Sequence, residues 1–557
     1  MTRLRIPLLP VALLAAACSG PRNDALAEPD PVDALIAEGR LLLREGEADE
    51  ALHRFEQASE RDGASAESRV WLVRGWLAQD RIDDSLQATD ELAAAGAPQP
   101  DLDYLYGLGF HARAARAVAS GSGNAYTQGE FEDALRFLSK AIEADGDRYA
   151  DAWLPLAESS WYAQDLPGAT EAVLRAVELE PEVPAAHLMH GRIAFSRYSQ
   201  ARDEGASAEV LDARWQEALD AFAAARRTGL ERGDDGGRAQ ACEAARQIGM
   251  LRVWKEDLDG AAVAFGDAMV LDPWTTDYNG VIGYVGLERF VDQVERARAE
   301  LADRDDDSPL LLAWWAGFGQ FGLGRMAEAE RSFTAVIEGH PDFAGSAWYY
   351  LFRASYGQRS FADAVAALRT SWHQDPDGLA ALLESDRDIN LAILEYLVGW
   401  LVDEEKQPDG ARPREAAILA EIMTRMKPDE ARYWNNLGLF LRDAGEALEL
   451  ERPAPREEDL QPLWEQAYAA YEHTLELEPD NAGYLNDTAV MLQYHLNRDL
   501  DRAAEMYARA AELAAAELAR DDLPAAQREW MRTAERDAHN NLKLLREQLA
   551  GAASERD

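Results

Sequence analysis

Nine His and two Cys are scattered through 557 residues, and few stand at spacings that chemistry uses. His187 and His190 are three apart, so on one helix both imidazoles would face the same way and could hold a metal if a carboxylate joined them. Both also occupy places where a helix packs, which is the better account of them, and no metal is expected. Asp303-Arg304-Asp305-Asp306-Asp307 has the acid density of a calcium loop without its Gly and its closing Glu, and it reads as a solvated turn between helices. Cys18 and Cys242 are too few for a disulfide framework or a cysteine metal cluster, and Cys242 beside Ala241 and Ala244 suits a small buried place. The chain has no G-x-S-x-G, H-E-x-x-H, G-x-x-x-x-G-K-[ST] or C-x-x-C. The expectation is a protein that is not an enzyme and uses no cofactor. What does recur is a pair of amides or acid: Asn435-Asn436, Asn486-Asp487 and Asn540-Asn541. A side-chain amide carries both a donor and an acceptor, so it can bond a peptide backbone whatever its sequence.

The elements that would position these residues follow from composition and period. Hydrophobic residues make up 47% of the chain, with 15 Trp, 18 Tyr and 15 Phe, enough for a continuous core. Basic residues number 56 against 102 acidic, a net charge of -46 that repels a nucleic-acid backbone, so no nucleic-acid partner is expected.

Residues 1–18 read MTRLRIPLLPVALLAAAC, a basic start followed by an apolar stretch too short to span a bilayer. The junction Leu14-Ala15-Ala16-Ala17-Cys18 resembles the lipobox of bacterial lipoproteins, with its Leu one place early. The resemblance implies cleavage before Cys18 and acylation of its thiol. Ser19 in the next position then implies the outer membrane, with the body facing the periplasm. The other reading is an ordinary secretory cleavage after Ala17, with Cys18 incidental; both export the protein. Residues 1–17 are thus read as a signal peptide and residues 18–31 as a tether, the membrane being held by the lipid anchor alone.

From Val32 onward the chain repeats. In Ala150 to Pro181, Trp153, Leu156, Ala157 and Ser160 are followed by Ala169, Val173, Ala176 and a closing Pro181. Small residues at Ala157 and Ala169 let two antiparallel helices approach, and Pro181 cannot continue the second. The closing half, an Ala with a large residue four places on, recurs from Ala51, Ala134, Ala218, Ala261, Ala329, Ala364, Ala467 and Ala503, with weaker copies around Ser85, Val294 and Ala416. This pattern resembles the tetratricopeptide repeat (TPR) family. It implies an all-α fold, a right-handed α-solenoid of about twelve TPR-like helix pairs over residues 32–523, closed by a C-terminal capping helix over 524–549. The array is read as continuous, a division near Asp303 to Ser308 being the alternative. Three inter-helix segments are longer than the repeat needs: Ala115 to Gln128, Ser199 to Leu211 and Ala444 to Pro462.

In this family the first helix of each pair lines a concave groove. The resemblance therefore places Trp314, Trp315, Phe318 and Phe321, then Tyr349, Tyr350, Arg353 and Tyr356, along an aromatic groove wall, with inter-repeat core as the equal alternative. It likewise makes the recurring amides similar to an asparagine ladder that holds an extended peptide. The implied function is a non-catalytic cell-envelope scaffold that binds a protein or peptide partner in its groove. The rival reading is a glycan-binding or polysaccharide-export accessory protein that stacks sugar rings on the aromatic wall. If neither set holds a ligand, the long segments at 199–211 and 444–462 are next. Acylation at Cys18 predicts that Cys18→Ser releases the protein from membranes. Fractionation and intact-mass analysis check this, and an unmodified Cys18 on a membrane-bound chain would refute it.

Overall fold

The computed structural model of the chain describes residues 31–341, 345–407, 410–451 and 456–554. Residues 1–30, which hold the stretch read as an export signal, Cys18 and most of the stretch read as a tether, lie outside these. Within the described residues 26 α-helices follow one another with no strand, and no helix is long and apolar enough to cross a membrane. The fold is an all-α solenoid of antiparallel helix pairs. It divides into two compact units, Met1–Ala244 and Ala245–Asp557, with the boundary inside a helix and not at Asp303 to Ser308.

The first unit pairs α1 (Pro31–Glu45) with α2 (Ala48–Arg61), α3 (Ala66–Ala78) with α4 (Ile82–Ala94), and α5 (Gln99–Ala119) with α6 (Ala125–Asp145). Then come α7 (Trp153–Tyr162) with α8 (Leu166–Leu179), α9 (Pro184–Asp203) with α10 (Ala208–Arg232), and the first half of α11 (Asp235–Trp254). The second unit continues from α11 through α12 (Leu258–Leu271), α13 (Tyr278–Val285), α14 (Leu287–Glu300), α15 (Ser308–Gly322), α16 (Met326–Gly339), α17 (Gly345–Gly357) and α18 (Phe361–Gln374). It ends with α19 (Pro376–Glu384), α20 (Arg387–Val402), α21 (Pro413–Met426), α22 (Ala431–Glu449), α23 (Glu457–Leu477), α24 (Ala482–Val490), α25 (Leu500–Leu518) and α26 (Ala525–Ser554). With α19 interpolated and α26 last, the remaining helices make the expected twelve pairs.

Each pair closes on the residues the period marks. Ala169 and Val173 are fully buried, as are Ala134 and Leu138, Ala329 and Phe333, Ala467 and Tyr471, Ala503 and Tyr507. Facing them on the first helix is a residue with little or no side chain. A Cβ on Gly191 would lie 2.6 Å from the Phe222 ring, one on Gly249 2.6 Å from Phe265, one on Gly317 2.9 Å from Phe333, and one on Gly438 2.9 Å from Tyr471. Helix starts have a local cause as well. Asp165, Asp257, Asp277 and Asp375 each cap the helix that follows by accepting from the backbone N–H of a Gly three residues on, at 2.9–3.1 Å. D-x-x-G is therefore a start signal readable in the sequence.

Two features depart from a bare reading of the repeat. The long segments do not form long loops: α5 and α6 run 21 residues each, α9 and α10 run 20 and 25, and α22 and α23 run 19 and 21, against 13 and 13 for α3 and α4. The extra residues extend these helices by about two to three turns each, because segments such as 208–218 are rich in Ala, Glu, Leu and Arg, all good helix formers. Pro376 does more than end α18. It is the first residue of α19, an added helix that Asp375 caps and that Asn390 pins by donating to the Leu383 carbonyl at 2.7 Å. Because Ala157 and Ala169 are wholly enclosed between α7 and α8, Ala157→Leu or Ala169→Leu should cost about 1–3 kcal/mol. Denaturant unfolding checks this, and no change at either place would mean the interface lies elsewhere.

Candidate functional site

The structure brings the marked aromatics together, largely against one another. Trp314 and Phe318 of α15 stack with centroids 5.6 Å apart, and Tyr350 of α17 meets Trp314, Phe318 and Phe321 edge-on at 5.5–6.0 Å. Trp315 turns inward to stack on Tyr278 at 4.6 Å, and Tyr350 stacks on Phe333 at 5.3 Å. The Trp314 indole donates to Ser346 at 2.9 Å. Arg353 donates to the buried Tyr349 hydroxyl at 2.8 Å and to Asn390 at 2.9 Å, and Tyr356 meets Phe361 and Tyr396. The result is a half-buried seam joining successive first helices.

The amides divide. Asn541 of α26 donates to Asn486 of α24 at 3.1 Å, and Asn486 leans on Asp487 at 3.5 Å. Burial raises the Asp487 carboxyl above its ordinary range, against the opposing pull of Arg442. Asn435 lies beside Asp487, with its buried carbonyl unbonded. Asn436 is rotated about 100° around α22 from Asn435, and lines a separate cavity of about 230 Å³ with Glu395, Arg432 and Tyr433. Asn540 is exposed. Asn541 thus reaches Asn486, and Asn436 belongs to a different face.

The other chemistry-bearing residues serve the fold. His187 donates to the Pro181 carbonyl at 2.7 Å, and His190 lies 3.4 Å from Glu217. Asp306 accepts from the Ser308 backbone at 2.9 Å at the start of α15, and Cys242 is buried in α11. A grouping that no sequence motif announces joins α5 to α7: His111 Nδ1 is 3.2 Å from Ser159 Oγ, and its Nε2 is 3.5 Å from Glu158. Ser159 is completely buried, and its hydroxyl bonds His111 across the packed faces of α5 and α7.

An open groove of about 1120 Å³ lies in the second unit between α21 and α23. Its floor is the α22 stripe Trp434, Leu437, Leu441, Ala444 and Leu448, spaced three and four apart along one helical face. One wall is the α21 face bearing Ala417, Ile418, Glu421 and Arg425, and the other is the α23 face bearing Pro462, Leu463, Gln466 and His473. Helix length shapes the groove: α21 has 14 residues against 19 in α22 and 21 in α23, so α21 does not run the full length of the pair beside it.

Aromatic residues brace one end of the groove. Trp434 meets the His473 ring at 4.3 Å and donates to the Pro428 carbonyl at 2.8 Å, while Arg425 lies over Trp372. Beside it opens a second cavity of about 630 Å³ that shares Arg414 and Ile418 and adds Arg369 and His373. Among the described residues neither Arg369 nor Arg414 has an ion-pair partner, in a chain where most other guanidiniums are paired. Sequence reasoning marked the insertion at 444–462, which contributes Ala444, Leu448, Asp459 and Pro462 to this groove, without the apolar face along α22.

No protein-family model matches the sequence, and no curated protein matches it. Solved structures do match. TTC0263, a thermophilic TPR protein of Thermus thermophilus, is similar over 38% of this chain and 98% of its own, at 21% identity and a TM-score of 0.28. Yeast Tom70 is similar over 93% of this chain and 96% of its own, at 15% identity and a TM-score of 0.21. A chain of the Naa15/Naa10 structure bound to HypK-THB is similar over 87% of this chain and 64% of its own, at 14% identity and a TM-score of 0.25. All three TM-scores lie well below 0.5, and the fold stands on its own helix pairs.

Burial holds His111, His190 and His495 below the ordinary histidine value. In the unfolded chain these groups take up protons as pH falls below about 6.5, before the folded chain does. Their contribution to stability is therefore present above that pH and lost as pH falls through the folded value. Glu180 and Asp487, raised by burial, act with the opposite sign, losing stability as pH rises through their folded values. The melting temperature should thus drop between pH 7.5 and 5.5, and His111→Gln, which can keep the bond to Ser159, should flatten that drop. An unchanged slope would show that His111 is not held neutral.

Proposed function

We propose that this chain is a non-catalytic scaffold of the cell envelope, exported by its N-terminal signal, held by an acylated Cys18 on the periplasmic side of the outer membrane, and docking a protein partner. The single observation that carries the docking is the apolar groove between α21 and α23. Its floor from Trp434 to Leu448 is about 21 Å long, the length of a 14-residue helix, and it ends beside Arg369 and Arg414. The occupant that fits is an amphipathic helix of the partner, its apolar face on Leu437, Leu441 and Leu448 and an acidic residue at the Arg414 end. The glycan reading is the less supported one, because the rings it needs lie against one another in a half-buried seam.

Leu441→Asp should weaken a partner purified from solubilised envelopes by about 10- to 100-fold. Arg414→Glu should weaken it less and reduce the salt dependence of binding, while Trp314→Ala leaves it unchanged. Titration of the partner and of its amphipathic segment alone checks this, each variant first being shown to melt as the wild type does. A partner that binds Leu441→Asp as tightly as the wild type, or a glycan that binds where no protein does, would overturn the proposal.

A further inference from the structure

The first unit carries a site of a different kind. Phe55 of α2, Trp71 of α3, Tyr104 of α5 and Tyr149, just after α6, form a ring-to-ring ladder with centroids 6.0, 6.2 and 4.6 Å apart. Over the Trp71 end a cavity of about 270 Å³ remains, where α1 and α3 meet the ends of α8 and α10 and the start of α11. Its lining inverts the composition of the chain: four arginines, Arg40, Arg44, Arg74 and Arg232, against two carboxylates, Asp151 and Glu180.

The arginines are built into place. Arg74 donates to Asp151 at 2.9 Å, and Asp151 also accepts from the buried Tyr104 hydroxyl. Arg40 lies over the Trp71 ring at 4.8 Å and donates to the Arg148 carbonyl at 3.0 Å. Arg232 donates to Asp234 at 2.6 Å, and Gly46, at a φ of +86°, lies so close to its guanidinium that a Cβ would sit 2.5 Å away. Arg44 is half exposed, with its Nε 3.4 Å from Glu180.

Two acceptors in the same lining lack a hydrogen bond. Oε1 of Gln240 is buried without a hydrogen bond, and Oε1 of Glu180 is buried with only the 3.4 Å ionic approach of Arg44 Nε. Acceptors of this kind are costly to leave unmet. Glu180, Asp151 and, outside the lining, Asp234 answer Arg44, Arg74 and Arg232, so one net positive charge asks for a negative group, and the two acceptors ask for N–H or O–H donors. The volume, just under the range of drug-sized pockets, limits the ligand to a few heavy atoms.

We propose that this cavity binds a small organic anion that also carries a hydrogen-bond donor, an acidic α-amino acid being the simplest of the class. Its carboxylates lie against Arg40, Arg44 and Arg232, and its ammonium group lies against Glu180 and Gln240. The site is independent of the apolar groove in the second unit.

Titration calorimetry of the full chain tests this with L-glutamate, L-aspartate, glutarate, which lacks the amine, and inorganic phosphate. L-Glutamate or L-aspartate should bind saturably and at least tenfold more tightly than glutarate or phosphate. Arg44→Gln should weaken that binding tenfold or more. Gln240→Leu should weaken the amino acid about fivefold and leave any glutarate binding unchanged, which separates a ligand contact from general damage, and Arg414→Glu should change nothing. The proposal fails if none of the compounds binds saturably at millimolar concentration. It fails equally if glutarate or phosphate matches the amino acids, or if Gln240→Leu is silent toward them.

Discussion

Everything else in this molecule depends on the close approach of a nearly bare backbone on one helix to a large side chain on the next. Gly191 against Phe222, Gly249 against Phe265, Gly317 against Phe333 and Gly438 against Tyr471 repeat the contact, and Ala157 with Val173 is the same arrangement with a smaller knob. Burying each such ring stabilises the fold by about 1.5–3 kcal/mol relative to leaving it in water. The contact also fixes how near two helix axes can come. Since each pair touches mainly its neighbours, stability accumulates along the chain with no central core, and a change in the length of one pair is not corrected by the rest. The extra turns of α22 and α23, unmatched by α21, accordingly leave a groove along the apolar face of α22.

The helix pairs were legible because their marks lie close together in sequence: an Ala and a large residue four places on share one helix, and a closing Pro stands just past its end, as Pro181 does after α8. The starts were legible for the same reason, since Asp165, Asp257, Asp277 and Asp375 need only a Gly three residues later to cap. What the repeat pattern could not resolve was ambiguous in its physics. Pro376 ends α18 and equally begins α19, because a missing N–H is harmless at either place. The insertions at 115–128 and 199–211 count as residues between two marked places, and only their helix-forming composition says that they continue the helices they separate.

Site residues were harder to read, since the repeat assigns a side chain its place on a helix and says nothing of what faces it. Asn435 and Asn436 differ by one position and by about 100° of rotation, enough to put one beside Asp487 and the other in a cavity with Arg432. Asn541 finds Asn486. The aromatic places on α15 and α17 turned out to face rings on α13, α16 and α20 as well as each other. Neither the groove nor the arginine cavity corresponds to a motif. The groove comes from a difference in length between consecutive hairpins, and the cavity gathers residues from Arg40 to Gln240 that only the coiling of the first unit brings together.

Charge gives these two places their weight. With 102 acidic and 56 basic residues, guanidinium groups are scarce, and most are spent on carboxylates: Arg148 on Glu67, Arg498 on Glu465, Arg502 on Glu472. Exposed pairs of this kind contribute about 0–1 kcal/mol each, so they do little more than temper self-repulsion. Cations gathered where carboxylates are outnumbered work against that economy. Arg40, Arg44, Arg74 and Arg232 around one cavity, and Arg369 with Arg414 at the end of an apolar groove, are held in a field that the rest of the surface makes negative. An acidic ligand approaching this chain is repelled almost everywhere and finds compensation at these two places, so the same excess of acid that excludes nucleic acid sharpens selection among anions small enough, or apolar enough, to enter.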